Sequence, residues 1–208
     1  NNGVIFYPLA YDFFTTFFVF HELTNDSLIV QCADGEIIVT PYNPNILNVF
    51  SGSQGVANMQ SHSVVAEKEI VSTEFSEEDH LLKFSTDSLE LVIDTTDLSF
   101  RFVYGNDTAL TFLRIYDFGE PGVLVSELKE GERIYGTGSR AIDIDRRGRF
   151  LAVNNQAQYG YGLGAENLNI TLPVLSSSEN YMLFYDNHSL ATLDIGAMNG
   201  DRLSCIFS

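Results

Sequence analysis

Hydrophobic and polar positions alternate along most of this chain, so its dominant period is two. Leu28–Cys32 (LIVQC) and Glu36–Thr40 (EIIVT) flank Ala-Asp-Gly, and Asp34-Gly35 is the strongest hairpin signal present. Leu81–Ser85 and Leu89–Asp94 flank Thr-Asp-Ser in the same way. Leu98–Tyr104 reads LSFRFVY, Gly105-Asn106-Asp107 turns it, and Ala109–Tyr116 returns. Beyond Ala141 the alternation continues through Ile142 and Ile144, then through Leu168, Ile170 and Leu172, then Met182 and Phe184, then Leu193 and Ile195. No long window holds a 3.6-residue period. Asn58–Glu69 comes nearest to a helix, but its serines and the β-branched pair Val64-Val65 weaken it. Short strands at regular spacing, separated by turn residues, predict an all-β antiparallel sandwich. No linker or repeat divides the 208 residues, so one domain is expected over 1–208.

Composition agrees. The chain has 16 Phe, 10 Tyr and 16 Gly, residues that suit pleated sheets and their turns. Its 11 Lys and Arg against 28 Asp and Glu leave a net charge of −17. That balance argues against nucleic acid and anionic membrane as partners, since phosphate contacts need clustered cations. It fits an exported or periplasmic protein. Val4–Phe20 is the greasiest stretch, yet it holds Pro8 and Asp12 and is too short for a membrane span. Cys32 and Cys205 stand far apart without a Cys-x-x-Cys motif, and they read as free, buried thiols. The four histidines lack zinc-ligand spacing, so no metal or cofactor is expected. Four Asn-x-Ser/Thr triplets, at Asn25, Asn106, Asn169 and Asn187, have meaning only in a secreted eukaryotic protein.

Three stretches carry candidate chemistry. Gly136-Thr-Gly138-Ser-Arg-Ala141 fits the dinucleotide fingerprint G-x-G-x-x-A, but that motif needs a helix next. The segment beginning at Ala141, AIDIDRRGRF, instead continues at period two and predicts a strand. Asp143 and Asp145 would share one face of that strand, as paired carboxylates for acid/base work. Arg146, Arg147 and Arg149 crowd them, which favours a charge-balanced structural cluster instead. Asn154–Gly162 (NNQAQYGYG) is the most unusual stretch, setting carboxamides and tyrosines among glycines. Carboxamides both donate and accept, as sugar hydroxyls demand. The bland alternative is a surface loop whose amides satisfy their own backbone. No nucleophile elbow, P-loop or H-E-x-x-H motif is present, so no catalytic constellation emerges.

Glu132–Gly162 (ERIYGTGSRAIDIDRRGRFLAVNNQAQYGYG) resembles a segment of the family 31 glycoside hydrolases, the α-glucosidase and α-xylosidase family. That segment reads E-x-[FY]-Y-G-x-G-E-[RK], then D-x-R-G-[RK], then W-N-x-D-x-x-Y-G. Ile170–Leu175 is similar to the family's I-P-F strand, Asn180–Gly196 to its G-Y-G-L-F-x-D-N…F-D-x-G run, and LSFRFVYGNDTAL to its F-R-L-x-V-x-D-x-x-G hairpin. The resemblance covers roughly Leu81 to Ser208. It implies a galactose-mutarotase-like sandwich that stands ahead of a (β/α)8 barrel, with both catalytic carboxylates on the barrel. The chain then reads as part of a longer retaining α-glycosidase and as inactive alone. The family's loop reaches the sugar through an acid that falls on Gln156, with Val153 in place of its Trp. This implies Asn155, Gln156 and Gln158 as substrate-binding residues, and it leaves α-galactosidase, α-xylosidase and transglycosylase activities open beside α-glucosidase. The partners implied are a carbohydrate and the enzyme's own barrel. A stand-alone carbohydrate-binding or scaffold module is the alternative from another class. A mutarotase-like epimerase would want a His and a Glu in one cleft.

Overall fold

The structure is a computed structural model that describes residues 16–53, 61, 63–115, 122–157 and 159–207. Among the described residues sixteen strands form three sheets, and every strand pair is antiparallel. The first sheet is a meander of β1 (Phe18–Leu23), β2 (Leu28–Cys32), β3 (Glu36–Asn43) and β4 (Ile46–Gly52). A second meander comprises β5 (Glu74–Glu78), β6 (Leu81–Ser85), β7 (Leu89–Asp94), β8 (Ser99–Tyr104) and β9 (Asp107–Arg114), and it continues into β10 (Gly122–Glu127). The third sheet is β11 (Ile134–Gly138), β13 (Thr171–Ser177) and β14 (Met182–Phe184), in that order. The remaining strands, β12 (Arg149–Val153), β15 (Ala191–Ile195) and β16 (Arg202–Phe207), extend the long sheet beyond β10. That sheet has nine strands, in the order β12-β15-β16-β10-β9-β8-β7-β6-β5.

The short sheets cover one long sheet, and each encloses its own core. The inward positions of β2 and β3 (Leu28, Val30, Ile37, Val39) meet Leu82, Phe84, Leu91, Ile93 and Phe100 of the long sheet. The second core joins Ile134 and Leu175 of the three-stranded sheet to Leu151, Leu193, Ile195 and Leu203. Leu124 and Leu183 pack against both, so the cores are continuous along the sheet. The alternation read from the sequence is what these faces require: a one-residue slip would turn every buried Leu and Ile outward.

Cys32 lies in the first core and Cys205 in the second, both as free thiols. Burial pushes the Cys205 thiol up to about 12. Burial, with the Asp34 charge second, pushes Cys32 up to about 11.

One local expectation fails. The segment after Ala141 is not a strand, and β12 begins only at Arg149. Arg146 is buried and draws the backbone around itself. Its guanidinium donates to the carbonyls of Ile142, Asp143 and Gly136. Asp145 Oδ1 accepts the backbone N–H groups of Ile134 (3.3 Å) and Arg147 (3.0 Å). These groups replace a sheet ladder, and Ile144 is left exposed. Asp143 and Asp145 therefore do not share a strand face. The helix weighed over Asn58–Glu69 does not appear at residues 61 or 63–69, and positions 58–60 and 62 lie outside the described residues.

Candidate functional site

The carboxamide stretch joins β12 to a returning limb that leads into β13. That limb hangs on residues 139–141: Ser139 N donates to Ile170 O (2.8 Å), Leu168 N to Ser139 O (3.3 Å), Ala141 N to Ala165 O (2.9 Å) and Gly164 N to Ala141 O (2.8 Å). Glycine is required where the backbones meet. Gly138 has φ +84°, and a Cβ there would stand 2.4 Å from Ile170 O; at Gly136, with φ +102°, it would stand 2.5 Å from Val174 O. The two glycines of the fingerprint thus serve close backbone approach and not a phosphate. No helix comes after them, and the nucleotide reading falls.

Arg140 closes the loop. Its Nε donates to Thr137 Oγ1 (2.8 Å) and Thr137 O (3.1 Å). Its Nη2 donates to Ala152 O (2.9 Å) on the outgoing limb, and its Nη1 to Glu166 O on the returning one. A planar, five-donor guanidinium can hold several carbonyls at once, which an ammonium cannot match in geometry. The side chain is buried, and burial lowers its pKa from the ordinary value, with the neighbouring Arg146 charge adding to the effect. Asn167 Nδ2 adds a clasp to Asn154 O (3.2 Å). The outer ion pairs of Arg149 with Asp143 and Glu166, both at 3.8 Å, are solvated and add little.

The three implied site residues fare differently. Asn155 Oδ1 accepts the Thr171 backbone N–H (2.7 Å) and the Thr171 hydroxyl (3.2 Å), so this amide oxygen anchors the loop to β13. Gln156 is exposed, just past that anchor. Gln158 lies outside the described residues. Tyr159, Tyr161 and Leu163 project from the same loop into solvent. The arrangement is a surface loop with fixed stems and amide and aromatic groups at its crest, suited to hydrogen-bonding and stacking on a polar ring.

Glu132 is a buried carboxylate that composition alone did not single out. Its Oε1 accepts the Ser177 hydroxyl (2.5 Å) and the Tyr181 hydroxyl (2.6 Å), and its Oε2 accepts Lys129 N (2.8 Å). Burial first, and Glu132 second, push the Tyr181 phenol far above its usual range. The carboxylate is fully engaged and ties the start of β11 to the β13–β14 hairpin. Among the described residues, no group of three His, Cys, Asp or Glu could hold a metal ion. A separate cleft of about 1620 Å³ lies along β4 and β14, walled by Asn48, Phe50, Phe102, Phe184 and Asn187.

A family model described as the glycosyl hydrolase 31 N-terminal galactose mutarotase-like domain matches residues 36–194. The chain belongs to this family. Its fold is shared with solved structures. A family 31 dextranase from Flavobacterium johnsoniae superposes with a TM-score of 0.83 at 17% identity, covering 94% of this chain and 25% of the dextranase. A cycloalternan-forming enzyme from Listeria monocytogenes gives 0.77 at 12% identity, covering 92% of this chain and 19% of that one. A family 31 α-xylosidase from Xanthomonas citri gives 0.67 at 18% identity, covering 83% and 19%. The chain therefore spans a quarter or less of the length of each. No curated protein sequence matches it.

Proposed function

We propose that this chain is the single, non-catalytic N-terminal domain of an exported or periplasmic retaining α-glycosidase, α-glucosidase-like in its bond preference. In this reading it supports the catalytic barrel and reaches the sugar with the Asn154–Gly162 loop. The observation that carries the reading is the loop itself: its stems are held by Arg140, Asn155 and Asn167, and Gln156 is presented to solvent. A loop built to be held but not buried is suited to contacting something outside its own domain.

The chemistry divides accordingly. Retention needs two carboxylates about 5 Å apart, one as nucleophile and one as acid and then base. The barrel would supply both. Glu132 is closed off by its partners, and Asp145 accepts two backbone N–H groups. Gln156 would contribute a neutral amide, which donates to one sugar hydroxyl and accepts from another without placing a charge beside an oxocarbenium-like transition state.

A hydrolysis assay with aryl α-glycosides tests the division. The parent enzyme, expressed whole, is expected to turn substrate over with retained configuration, and the 208-residue chain to show none above background. Turnover by the 208-residue chain that survives repurification would overturn the reading. The cleft along β4 and β14, with Asn48 and Asn187 beside Phe50 and Phe184, favours a second reading as a stand-alone carbohydrate-binding module. Oligosaccharide binding by the 208-residue chain that Asn48→Ala abolishes and Gln156→Ala leaves intact would select it.

A further inference from the structure

We propose that Asn155 and Thr171 form a positioning pair that sets Gln156 against the sugar, and that Asn155 is not itself a sugar ligand. This rests on the reading above that Gln156 meets the substrate. Three tethers hold residues 152–155. Arg140 Nη2 donates to Ala152 O (2.9 Å), Asn167 Nδ2 to Asn154 O (3.2 Å), and Thr171 donates its N–H (2.7 Å) and its hydroxyl (3.2 Å) to Asn155 Oδ1. Asn167 is part of the returning limb, so its clasp ties loop to loop. Thr171 belongs to the sheet: it pairs with Gly138 of β11 and is 1% exposed, on the inward side of β13 with Leu175 and Ser177. The Asn155 bonds are therefore the last tether before the crest, and they end on a strand fixed in the core. Gln156, the next residue, is exposed, and its side chain has no hydrogen-bond partner among the described residues. Consecutive Cα atoms stand about 3.8 Å apart, so fixing Asn155 fixes the point from which the Gln156 amide starts. A misplacement of about 1 Å at a substrate-contacting group can cost about a hundredfold in rate.

The atoms used at Asn155 separate positioning from binding. A backbone N–H can only donate, so the bond from Thr171 fixes the amide oxygen on the β13 side. That oxygen has two lone pairs, and the Thr171 N–H and hydroxyl take both. It has none left for a sugar hydroxyl. The amide nitrogen makes no bond among the described residues. What the position requires is an acceptor, and a carboxylate of the same size supplies one. Asn155→Asp keeps the tether and loses the only group with which Asn155 could donate to a ligand.

Kinetics of the whole enzyme on an aryl α-glycoside, with hydrogen exchange of the 208-residue chain beside them, test the pair. Asn155→Ala is expected to lose about tenfold in kcat/KM, and Asn155→Asp to recover most of it. Adding Asn155→Ala to Gln156→Ala should slow the enzyme no further, because a residue that acts through Gln156 has nothing to act on once that amide is gone. A purely structural Asn155 would subtract the same factor in both backgrounds, and that result would overturn the proposal. An Asn155→Asp enzyme as slow as Asn155→Ala would assign Nδ2 to the sugar and overturn it equally. Exchange of the Thr171 amide reads the tether without substrate: it should quicken about tenfold or more in Asn155→Ala and stay slow in Asn155→Asp. Unaltered Thr171 exchange in Asn155→Ala would overturn the proposal whatever the kinetics. Quickened exchange beside full activity in Gln156→Ala would instead defeat the reading that Gln156 meets the sugar, and would leave Asn155 and Thr171 a structural clasp without a positioning role.

Discussion

Arg140 shows how much of the loop rests on one side chain. It bridges the carbonyls of Ala152 and Glu166 while Thr137 holds its Nε. Arg140→Met would leave the buried Thr137 groups and the part-buried Ala152 and Glu166 carbonyls without this donor, and it should destabilise the chain by about 2 kcal/mol in urea unfolding, since an orphaned buried polar group costs about 1–3 kcal/mol and a part-buried one less. Gln156→Ala removes an exposed amide and should change stability by less than about 0.5 kcal/mol in the same experiment. The two residues look equally polar in the sequence. The difference between them is not legible there, because a period-two pattern says which face a residue takes and nothing about which distant carbonyls its side chain meets. Asn155 is a mixed case: its amide type suggested sugar binding, but its oxygen serves the Thr171 backbone and leaves only Nδ2 for a ligand. Glu132, read within the resemblance only as the first residue of a motif, proves to be a structural clasp.

At the scale of elements, the strands were readable wherever one face is core. Leu28–Cys32, Leu81–Ser85 and Leu89–Asp94 begin and end where the alternation does. Residues 139–148 defeated the same reasoning. Ile142, Asp143, Ile144 and Asp145 alternate, yet the Arg146 guanidinium and the Asp145 carboxylate take the backbone groups that a ladder would use. Side-chain capture of the backbone competes with sheet pairing and leaves no periodic trace. The glycines make the related point testable. Gly138 and Gly148 both have positive φ, +84° and +78°, but only Gly138 has backbone against it. Gly148→Ala should cost about 1 kcal/mol for conformation alone. Gly138→Ala must also separate β11 from β13 and should cost at least about 3 kcal/mol. Equal losses in chemical denaturation would show that the close approach is not what this position requires.

For the whole molecule, the continuity of the two cores ties its acid–base behaviour to its fold. Cys32 and Cys205 sit one in each core, with thiols raised to about 11 and about 12 from an ordinary value of 9.0. The folded chain therefore holds these protons to higher pH than the unfolded chain. Stability from them is complete below pH 9 and is lost as pH rises through about 11 and then about 12. Cys205→Ala should flatten the fall in the urea midpoint between about pH 9 and about pH 10.5; a variant as alkali-sensitive as the parent chain would contradict this. The same scale contains the functional claim: a rigid sandwich presents a clamped loop to a partner body that performs the chemistry. The measurement that tests it most directly is kcat/KM of the whole enzyme and of its Gln156→Ala variant on an aryl α-glycoside, with melting curves beside them. The variant should lose about 1–3 kcal/mol in kcat/KM, the cost of an unmade hydrogen bond in a desolvated site, at an unaltered melting temperature. Unaltered kinetics in the variant would contradict a role for this loop in the substrate site.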